Sequence, residues 1–192
     1  MLAVISNRQT MIKRRHFLRA SAFGIFGSSV FSLPTTLKAE QLDTGSIVKQ
    51  PEQCETYFVR ENTPITIHIS KHGDNVPTVS VCTEELNPGS NIPTHKHLNE
   101  DEYFYFISGT GLIVANDIES PFKPGTSAVV PKNTWHSIKN TGTESVIFQF
   151  GYSPAGFEDF FRQVGTPKGL QFKQKPKDEF DNITKKFGMV FR

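Results

Sequence analysis

The chain has 192 residues, a length typical of a single domain. Its formal charge is +2, from 21 basic and 19 acidic side chains, but six of the basic ones and none of the acidic ones fall in residues 1–39. The remaining residues therefore carry a net charge of −4, and we expect no nucleic-acid partner, because the positive balance belongs to the N-terminal segment alone.

Residues 1–39 are typical of an export signal. The segment Lys13–Arg19 resembles a twin-arginine motif, with Lys13 where Ser or Thr is usual. The uncharged stretch Ala20–Leu33 is shorter than the ~20 residues that a membrane-spanning helix needs, and Ala39 offers a cleavage point. We expect a twin-arginine signal peptide, export to the periplasm or beyond, and no stable membrane insertion after cleavage. An uncleaved anchor or an amphipathic N-terminal helix is the alternative.

Two cysteines, Cys54 and Cys82, follow the signal. An oxidising compartment permits a disulfide between them, and two unpaired side chains are the alternative. Their spacing fits neither a redox motif nor a zinc cluster.

Alternating apolar and polar side chains predict short strands through the middle of the chain. Ile65, Ile67 and Ile69 show this alternation with a period of two. Further strands are predicted at Tyr103–Ile107, Gly111–Ala115, Thr126–Val130, Trp135–Lys139 and Ser145–Phe150. Short strands separated by Gly, Pro and Asn turns are typical of a sandwich or barrel, so we predict an all-β domain over residues 40–152.

The periodicity becomes helical after this domain. Ser153 suits an N-cap, Pro154 the first helical position and Gly165 the stop. The apolar stripe between them consists of Phe157, Phe160, Phe161 and Val164. It covers one end of the barrel or, alternatively, lines a substrate mouth. A second short helix is predicted at 177–187, so that residues 153–192 form a helical extension packed on the barrel.

Three histidines and a carboxylate form the strongest chemical pattern. His95 and His97 are two residues apart, so in a strand both point to one face. With His136 and Glu102 they make a ligand set that suits a divalent transition metal. Asp101 is the fallback for the carboxylate. Glu100 also lies near enough to compete with Glu102. His68 and His72 are expected to be structural or surface histidines. Strand parity with Glu102 predicts that Phe104 and Phe106 face inward, and that Tyr103 and Tyr105 do not.

These residues and their spacing resemble the two signature motifs of the cupin superfamily. The matching positions are Gly89, His95, His97, Glu102 and Gly109 in the first motif, and Gly125, Pro131, His136 and Asn140 in the second. Asn133 stands where glycine is usual, and Asn is the residue that best tolerates a left-handed backbone after glycine. The resemblance implies a double-stranded β-helix, or jelly-roll barrel, with short C-terminal helices. It also implies one metal ion per chain held by His95, His97, Glu102 and His136, and a homodimer.

The C-terminal helical segments resemble small single-domain bacterial cupins grouped with quercetinase-like dioxygenases. This resemblance implies an oxidoreductase acting on a small phenolic or enolic substrate, with Glu102 as both ligand and catalytic base. Iron or manganese is favoured, because folding before export lets the cell select a weaker-binding ion; copper, nickel and zinc are the alternatives. A non-catalytic metal- or small-ligand-binding envelope protein, and a metal-dependent isomerase or lyase, are the competing hypotheses.

Overall fold

The structure, a computed structural model, describes residues 40–41 and 46–192. The predicted signal peptide over residues 1–39 lies outside the described residues and stays a prediction. Among the helices of the described part, none is long and apolar enough to cross a membrane.

Short antiparallel strands make up most of the described chain. They are β1 (Glu40–Gln41), β2 (Ile47–Val48), β3 (Glu55–Arg60), β4 (Thr63–Ile69), β5 (Val81–Leu86), β6 (Asn91–His97), β7 (Asp101–Ser108), β8 (Gly111–Ala115), β9 (Ile118–Phe122), β10 (Ser127–Val130), β11 (His136–Asn140), β12 (Val146–Ser153), β13 (Thr166–Pro167) and β14 (Met189–Phe191). The helices are a 3₁₀ turn (Pro51–Gln53), α1 (Lys71–Asp74), α2 (Asp159–Val164) and α3 (Lys177–Lys186). Every strand predicted from the sequence is present, with ends shifted by at most three residues.

Two antiparallel sheets form the barrel. The larger has the order β10-β7-β12-β5-β4-β3-β13, and the smaller has the order β14-β6-β11-β8-β9. The strands β1 and β2 pair separately. The non-sequential order, with β12 between β7 and β5, is that of a jelly roll. The predicted all-β class, a jelly-roll barrel with short helices, is confirmed.

The core between the sheets is rich in phenylalanine. Phe104 and Phe106 are 3% and 0% exposed, whereas Tyr105 between them is 46% exposed, so the predicted inward pair is confirmed. Phe106 of the larger sheet stacks on Phe122 of the smaller one, with ring centroids 3.7 Å apart. Each phenylalanine buried in this way contributes about 1.5–3 kcal/mol of hydrophobic stabilisation. The aromatic face of β7 therefore packs the barrel against its second sheet.

The C-terminal segment contains strands as well as helices. β13 pairs with β3 of the larger sheet, and β14 pairs with β6 of the smaller one. The second predicted helix is confirmed at Lys177–Lys186. Its side chains Phe180, Ile183 and Phe187 pack against the core.

The first C-terminal helix begins later than predicted. Ser153, the predicted N-cap, is the last residue of β12, where it pairs with Asp101, and its hydroxyl donates to the Thr78 carbonyl. The helix starts only at Asp159, after Glu158, and it ends at Gly165 as predicted. Extension of the β12 ladder prevailed over the local capping preference of Ser153.

Asn133, at the position where glycine is usual, adopts the left-handed backbone that asparagine was expected to tolerate. Its φ is 66°, and its backbone N–H donates to the His97 carbonyl at 2.7 Å. The loop before β11 is thereby attached to the end of β6. This contact fixes the two histidine-bearing strands relative to each other.

Both cysteines are free in the structure. Cys82 is fully buried in β5, and the Cys54 Sγ lies 3.5 Å from the His68 Nδ1. The structure therefore corresponds to the alternative of two unpaired side chains.

Candidate metal centre

The three predicted histidines come from neighbouring strands of the smaller sheet. His95 and His97 end β6, and His136 begins β11, where it lies directly opposite His95. Glu102 comes from the second residue of β7 in the larger sheet. The cluster is therefore built between the two sheets, with ligands from both.

The four side chains converge at short range and are shielded from solvent. One ligand atom from each lies within 4.8 Å of all the others. Exposure is 5% for His95, 2% for His97, 4% for Glu102 and 2% for His136. All four predicted ligands are thus brought together in one buried group.

Backbone carbonyls orient two of the rings. The Nδ1–H of His95 donates to the Pro93 carbonyl at 2.8 Å, and the Nδ1–H of His136 donates to the Thr134 carbonyl at 3.0 Å. A hydrogen bond of this kind fixes the tautomer and directs Nε2 to a metal. The His136 Nε2 lies 2.8 Å from the Glu102 Oε2, inside the cluster.

The third ring shows why the group suits a metal ion. Both ring nitrogens of His97 are buried without a hydrogen-bond partner, although Nε2 lies 3.3 Å from the Glu102 Oε2. A buried polar atom left unsatisfied costs about 1–3 kcal/mol. An ion held by His97, the other two imidazoles and the carboxylate would satisfy its Nε2. Three nitrogens and one oxygen also match the donor preference of divalent transition metals. The residues present therefore fit the metal that the resemblance implies.

The protonation states favour ligation. Burial, together with the neighbouring His136, lowers the pKa of His95 to about 3, so its Nε2 is free of a proton at neutral pH. Burial alone would raise the pKa of Glu102, but the hydrogen-bonded His136 and the His97 ring 3.3 Å away outweigh it and hold that pKa well below its usual range. Burial lowers the pKa of His136, but the Glu102 carboxylate raises it by more than burial lowers it, so the net shift is upward. A metal ion would replace the proton shared by this pair.

The competing candidates lie outside the cluster. Asp101 is exposed, and its carboxylate accepts the Lys132 backbone N–H at 2.9 Å. His68 contacts Thr83, and His72 pairs with Asp159. Glu102 is therefore the carboxylate of the cluster, as predicted.

A cavity of about 200 Å³ opens onto this cluster. His95, Glu102 and His136 form one part of its wall. Aromatic side chains form half of the remainder: Phe104, Phe148, Phe150, Tyr152, Phe157, Phe160, Phe161, Phe180 and Phe191. Three members of the predicted C-terminal stripe are among them, so the stripe both covers the barrel and lines the cavity.

Four polar residues of the cavity wall are absent from the sequence-based prediction: Arg60, Glu84, Tyr152 and Gln174. Tyr152 is 2% exposed and lies opposite Glu102 in the β12–β7 ladder; burial, with the Glu102 charge, raises the pKa of its phenol well above the usual value. Its parity with Phe148 and Phe150 could have revealed it, had the strand been extended past Phe150. Arg60 and Glu84 also line the cavity and form an ion pair. No pattern in the sequence predicts that these two residues are in contact.

Comparison with known proteins gives a partial match. Residues 82–150 match the family model described as "Cupin domain". An oxalate-binding protein of Thermotoga maritima is 36% identical over 64 residues, 33% of this chain and 53% of that protein. A 5-aminosalicylate 1,2-dioxygenase of Comamonas sp. is 32% identical over 82 residues, 43% of this chain and 22% of that protein. Among solved structures, an RmlC-like cupin from Shewanella frigidimarina is 18% identical with a TM-score of 0.48, covering 58% of this chain and 93% of that chain.

The chain thus spans about half the length of the oxalate-binding protein and about a fifth of the dioxygenase. The family match covers β5 to β12, the strands that carry all four members of the cluster. Together with the buried His/Glu group, this match supports placing the barrel in the cupin superfamily.

Proposed function

We propose that this protein is a metal-dependent oxidoreductase of the dioxygenase type that acts on a small phenolic or enolic substrate. The observation that carries the proposal is the position of the His/Glu cluster in the wall of an aromatic cavity. A ligand in that cavity would lie against both the cluster and the flat faces of phenylalanine rings.

When bound, a redox-active divalent ion at these four residues would supply the coordination and electron-transfer chemistry that an oxygenase needs. Iron or manganese is our preferred identity, with copper, nickel and zinc as the alternatives. The twin-arginine route, also a proposal, favours the first two, because it would let the protein fold around them before export.

Glu102 is the proposed catalytic base. Its carboxylate lines the cavity and is ionised, because the neighbouring histidines hold its pKa below the usual range. Phenols and enols are more acidic than aliphatic alcohols, so they are the hydroxyl compounds from which a carboxylate can accept a proton. The substrate hydroxyl proton would pass to Oε2, beside the His136 ring.

The size of the cavity favours a substrate with one ring. A cavity of about 150 Å³ accommodates benzene, whereas this cavity measures about 200 Å³. A single substituted ring therefore fits it better than a three-ring flavonol does. The 5-aminosalicylate ring on which the Comamonas relative acts, according to its name, is of this size class.

A second candidate is a non-catalytic binding protein for a small acid. The name of the Thermotoga relative, an oxalate-binding protein, favours it. In this case the metal would hold an acid without turning it over. A metal-dependent isomerase or lyase is the remaining alternative.

Oxygen uptake distinguishes these candidates. The iron- and manganese-loaded protein would be mixed with a panel of catechols and enols in an oxygen-electrode cell, beside the Glu102→Ala variant. The proposal predicts uptake by the wild-type protein and none by the variant. Product without oxygen consumption would indicate an isomerase or lyase, and binding without product would indicate a binding protein.

The homodimer is part of the same proposal. Tyr105, Ile107 and Val129 are between 46% and 69% exposed on the outer face of the larger sheet, beside its edge strand β10. Such an apolar face suits a second copy of the chain. Light scattering during gel filtration would give twice the mass of the mature chain, and a monomer mass would contradict the dimer.

A further inference from the structure

An ion pair lies in the cavity wall away from the metal cluster. Arg60 is the last residue of β3, and Glu84 lies in the middle of β5; their side chains pair, and both line the cavity. Glu84 is 4% exposed. The Arg60 Nε is buried and has no hydrogen-bond partner.

The ion pair and the cluster are separated by aromatic surface. Glu84 pairs across strands with Phe148, which pairs with Phe106 of β7. Glu102 lies four residues from Phe106 on that strand, which corresponds to about 13 Å of extended chain. Phe104 and Phe150 line the cavity between the two polar ends. A ligand that reached from one end to the other would have an apolar, flat middle.

Stability is a weak explanation for this ion pair, in which Glu84 is buried and the Arg60 side chain is 34% exposed. Burial of a charged group costs free energy that its attraction to a partner often does not return. Glu84 shows this cost: burial raises the pKa of its carboxyl to about 7 despite the Arg60 guanidinium beside it. A pair maintained at such a cost in a cavity wall indicates a role in ligand binding.

The charge in the cavity favours an anion. Among the described lining residues, the titratable side chains are Arg60, Glu84, His95, Glu102, His136 and Tyr152, and the raised pKa of the Tyr152 phenol keeps it neutral. With a divalent ion, neutral histidines and one Glu102 carboxylate, the cluster carries one positive charge. The Arg60–Glu84 pair adds none. The cavity as a whole therefore suits a ligand with one negative charge.

We propose that Arg60 binds the carboxylate of a single-ring aromatic acid whose opposite end faces the His/Glu cluster, and that Glu84 holds the guanidinium in place. The proposal rests on the proposed function, since it names the substrate class of the same site. The guanidinium offers five N–H donors in a planar fork that matches a carboxylate, and Nε is already without a partner.

Binding measured without turnover tests the proposal. The probes are 3,4-dihydroxybenzoate and 3,4-dihydroxyphenylacetate, each compared with its methyl ester, which has the same ring and no carboxylate charge. Calorimetric titration of the metal-loaded protein under nitrogen gives both affinities. At least one acid should bind about tenfold more tightly than its ester, the scale of a hydrogen bond to a charged group.

Variants of the pair should change this preference in opposite directions. Glu84→Gln keeps a side-chain oxygen that can accept from Arg60 but removes the competing negative charge, so it should strengthen binding of the acid. Arg60→Gln with Glu84→Gln, a double variant that leaves neither charge of the pair, should remove the preference for the acid over its ester. Lys139→Gln is the matched control, because it removes one positive charge from an exposed pair with Glu119.

Three results would overturn the proposal: equal affinity of acid and ester in the wild-type protein, a preference that persists in the double variant, or no binding of any probe. Failure of the proposed function would look different. Preferential acid binding without oxygen uptake on any compound would support Arg60 as the carboxylate site and reject the oxidoreductase. Oxygen uptake on neutral catechols alone would support the oxidoreductase and reject Arg60 as the carboxylate site.

Discussion

Single hydrogen bonds orient two of the histidine rings in the cluster. The carbonyls of Pro93 and Thr134 each accept an Nδ1–H, so His95 and His136 direct Nε2 toward Glu102. Each carbonyl belongs to the residue two positions before its histidine. Local hydrogen bonds in β6 and in the turn before β11 therefore orient these two rings.

Glu84 makes stability depend on pH in a defined direction. Its pKa is about 7 in the folded protein, against an ordinary value of 4.5, so the folded chain binds this proton more tightly than the unfolded chain does. Stability should therefore fall as pH rises from 4.5 to 7 and level off above, by on the order of 3 kcal/mol for this carboxyl. Urea unfolding of metal-free protein at pH 5 and pH 8 measures this loss of stability.

The Glu84→Gln variant is the control for that dependence, since it keeps the shape of the side chain and removes the titration. The wild-type protein should lose more stability than the variant between the two pH values. The same loss in both proteins would contradict the assignment.

The positions of individual side chains were predicted correctly where the residues concerned are close together in the sequence. The i and i+2 histidines, and the parity of Phe104 and Phe106 with Glu102, needed only the geometry of a strand. Arg60 and Glu84 could not be predicted to meet, because they are 24 residues apart on strands that are not neighbours in the sheet. Only the pairing of β3, β4 and β5 brings them together.

At the scale of elements, the C-terminal segment closes the barrel around the cavity. α2 and α3 contribute Phe160, Phe161 and Phe180 to the cavity wall, and β14 pairs with β6 so that Phe191 lies opposite His95. The strand that carries two of the candidate metal ligands is therefore held between β11 and β14. Phe191 of β14 is thus part of the cavity wall.

Phe160→Ala should destabilise the protein by about 3 kcal/mol. Phe160 is 2% exposed, and its ring contacts Phe157, Phe161, Phe180 and Phe187, so truncation leaves a cavity where both helices meet. Urea unfolding at fixed pH measures the change. Leu170→Ala, at a side chain that is 66% exposed, should change stability by less than about 0.5 kcal/mol. Equal effects would show that the helices do not seal the core.

Helix ends and added strands mark the limit of prediction at this scale. The apolar stripe correctly indicated a helix before Gly165, but the start was placed five residues too early, because Ser153 and Pro154 form good local signals. What overrides them is the partner strand β7, which extends the ladder to Asp101. The three-residue β14 and two-residue β13 carry too little pattern to be recognised without their partners.

On the scale of the whole molecule, the cluster joins two sheets. His95, His97 and His136 belong to the smaller sheet, and Glu102 belongs to the larger one. An ion bound to all four would therefore hold the halves of the barrel together. Metal binding should stabilise the fold as well as supply chemistry.

Addition of metal should accordingly raise the unfolding free energy of the metal-free protein. The increase is about 2.7 kcal/mol at a free-ion concentration 100 times the dissociation constant. Thermal unfolding with and without Mn²⁺, followed by chelation with EDTA, measures it. His97→Ala should show little increase, whereas His72→Ala, outside the cluster, should behave as the wild-type protein. An increase of equal size in His97→Ala would place the metal elsewhere.

The proposed export route makes a separate prediction. Replacing Arg14 and Arg15 by Lys should abolish export, because the twin-arginine pathway requires the adjacent pair. Cell fractionation with an antibody against the mature chain measures it. Arg8→Lys, outside the motif, is the control and should leave export intact. Export of the double-lysine variant at the normal level would reject both the route and the argument about metal selection.

The most direct measurement is the metal content of the protein purified from its native compartment, determined by elemental analysis beside the His95→Ala variant. The account predicts one transition-metal ion per chain in the wild-type protein, loss of most of it in the variant, and unchanged β-sheet circular dichroism in both. His72→Ala should retain the metal. A wild-type protein without metal, or a His95→Ala variant with the full complement, would contradict the proposed centre.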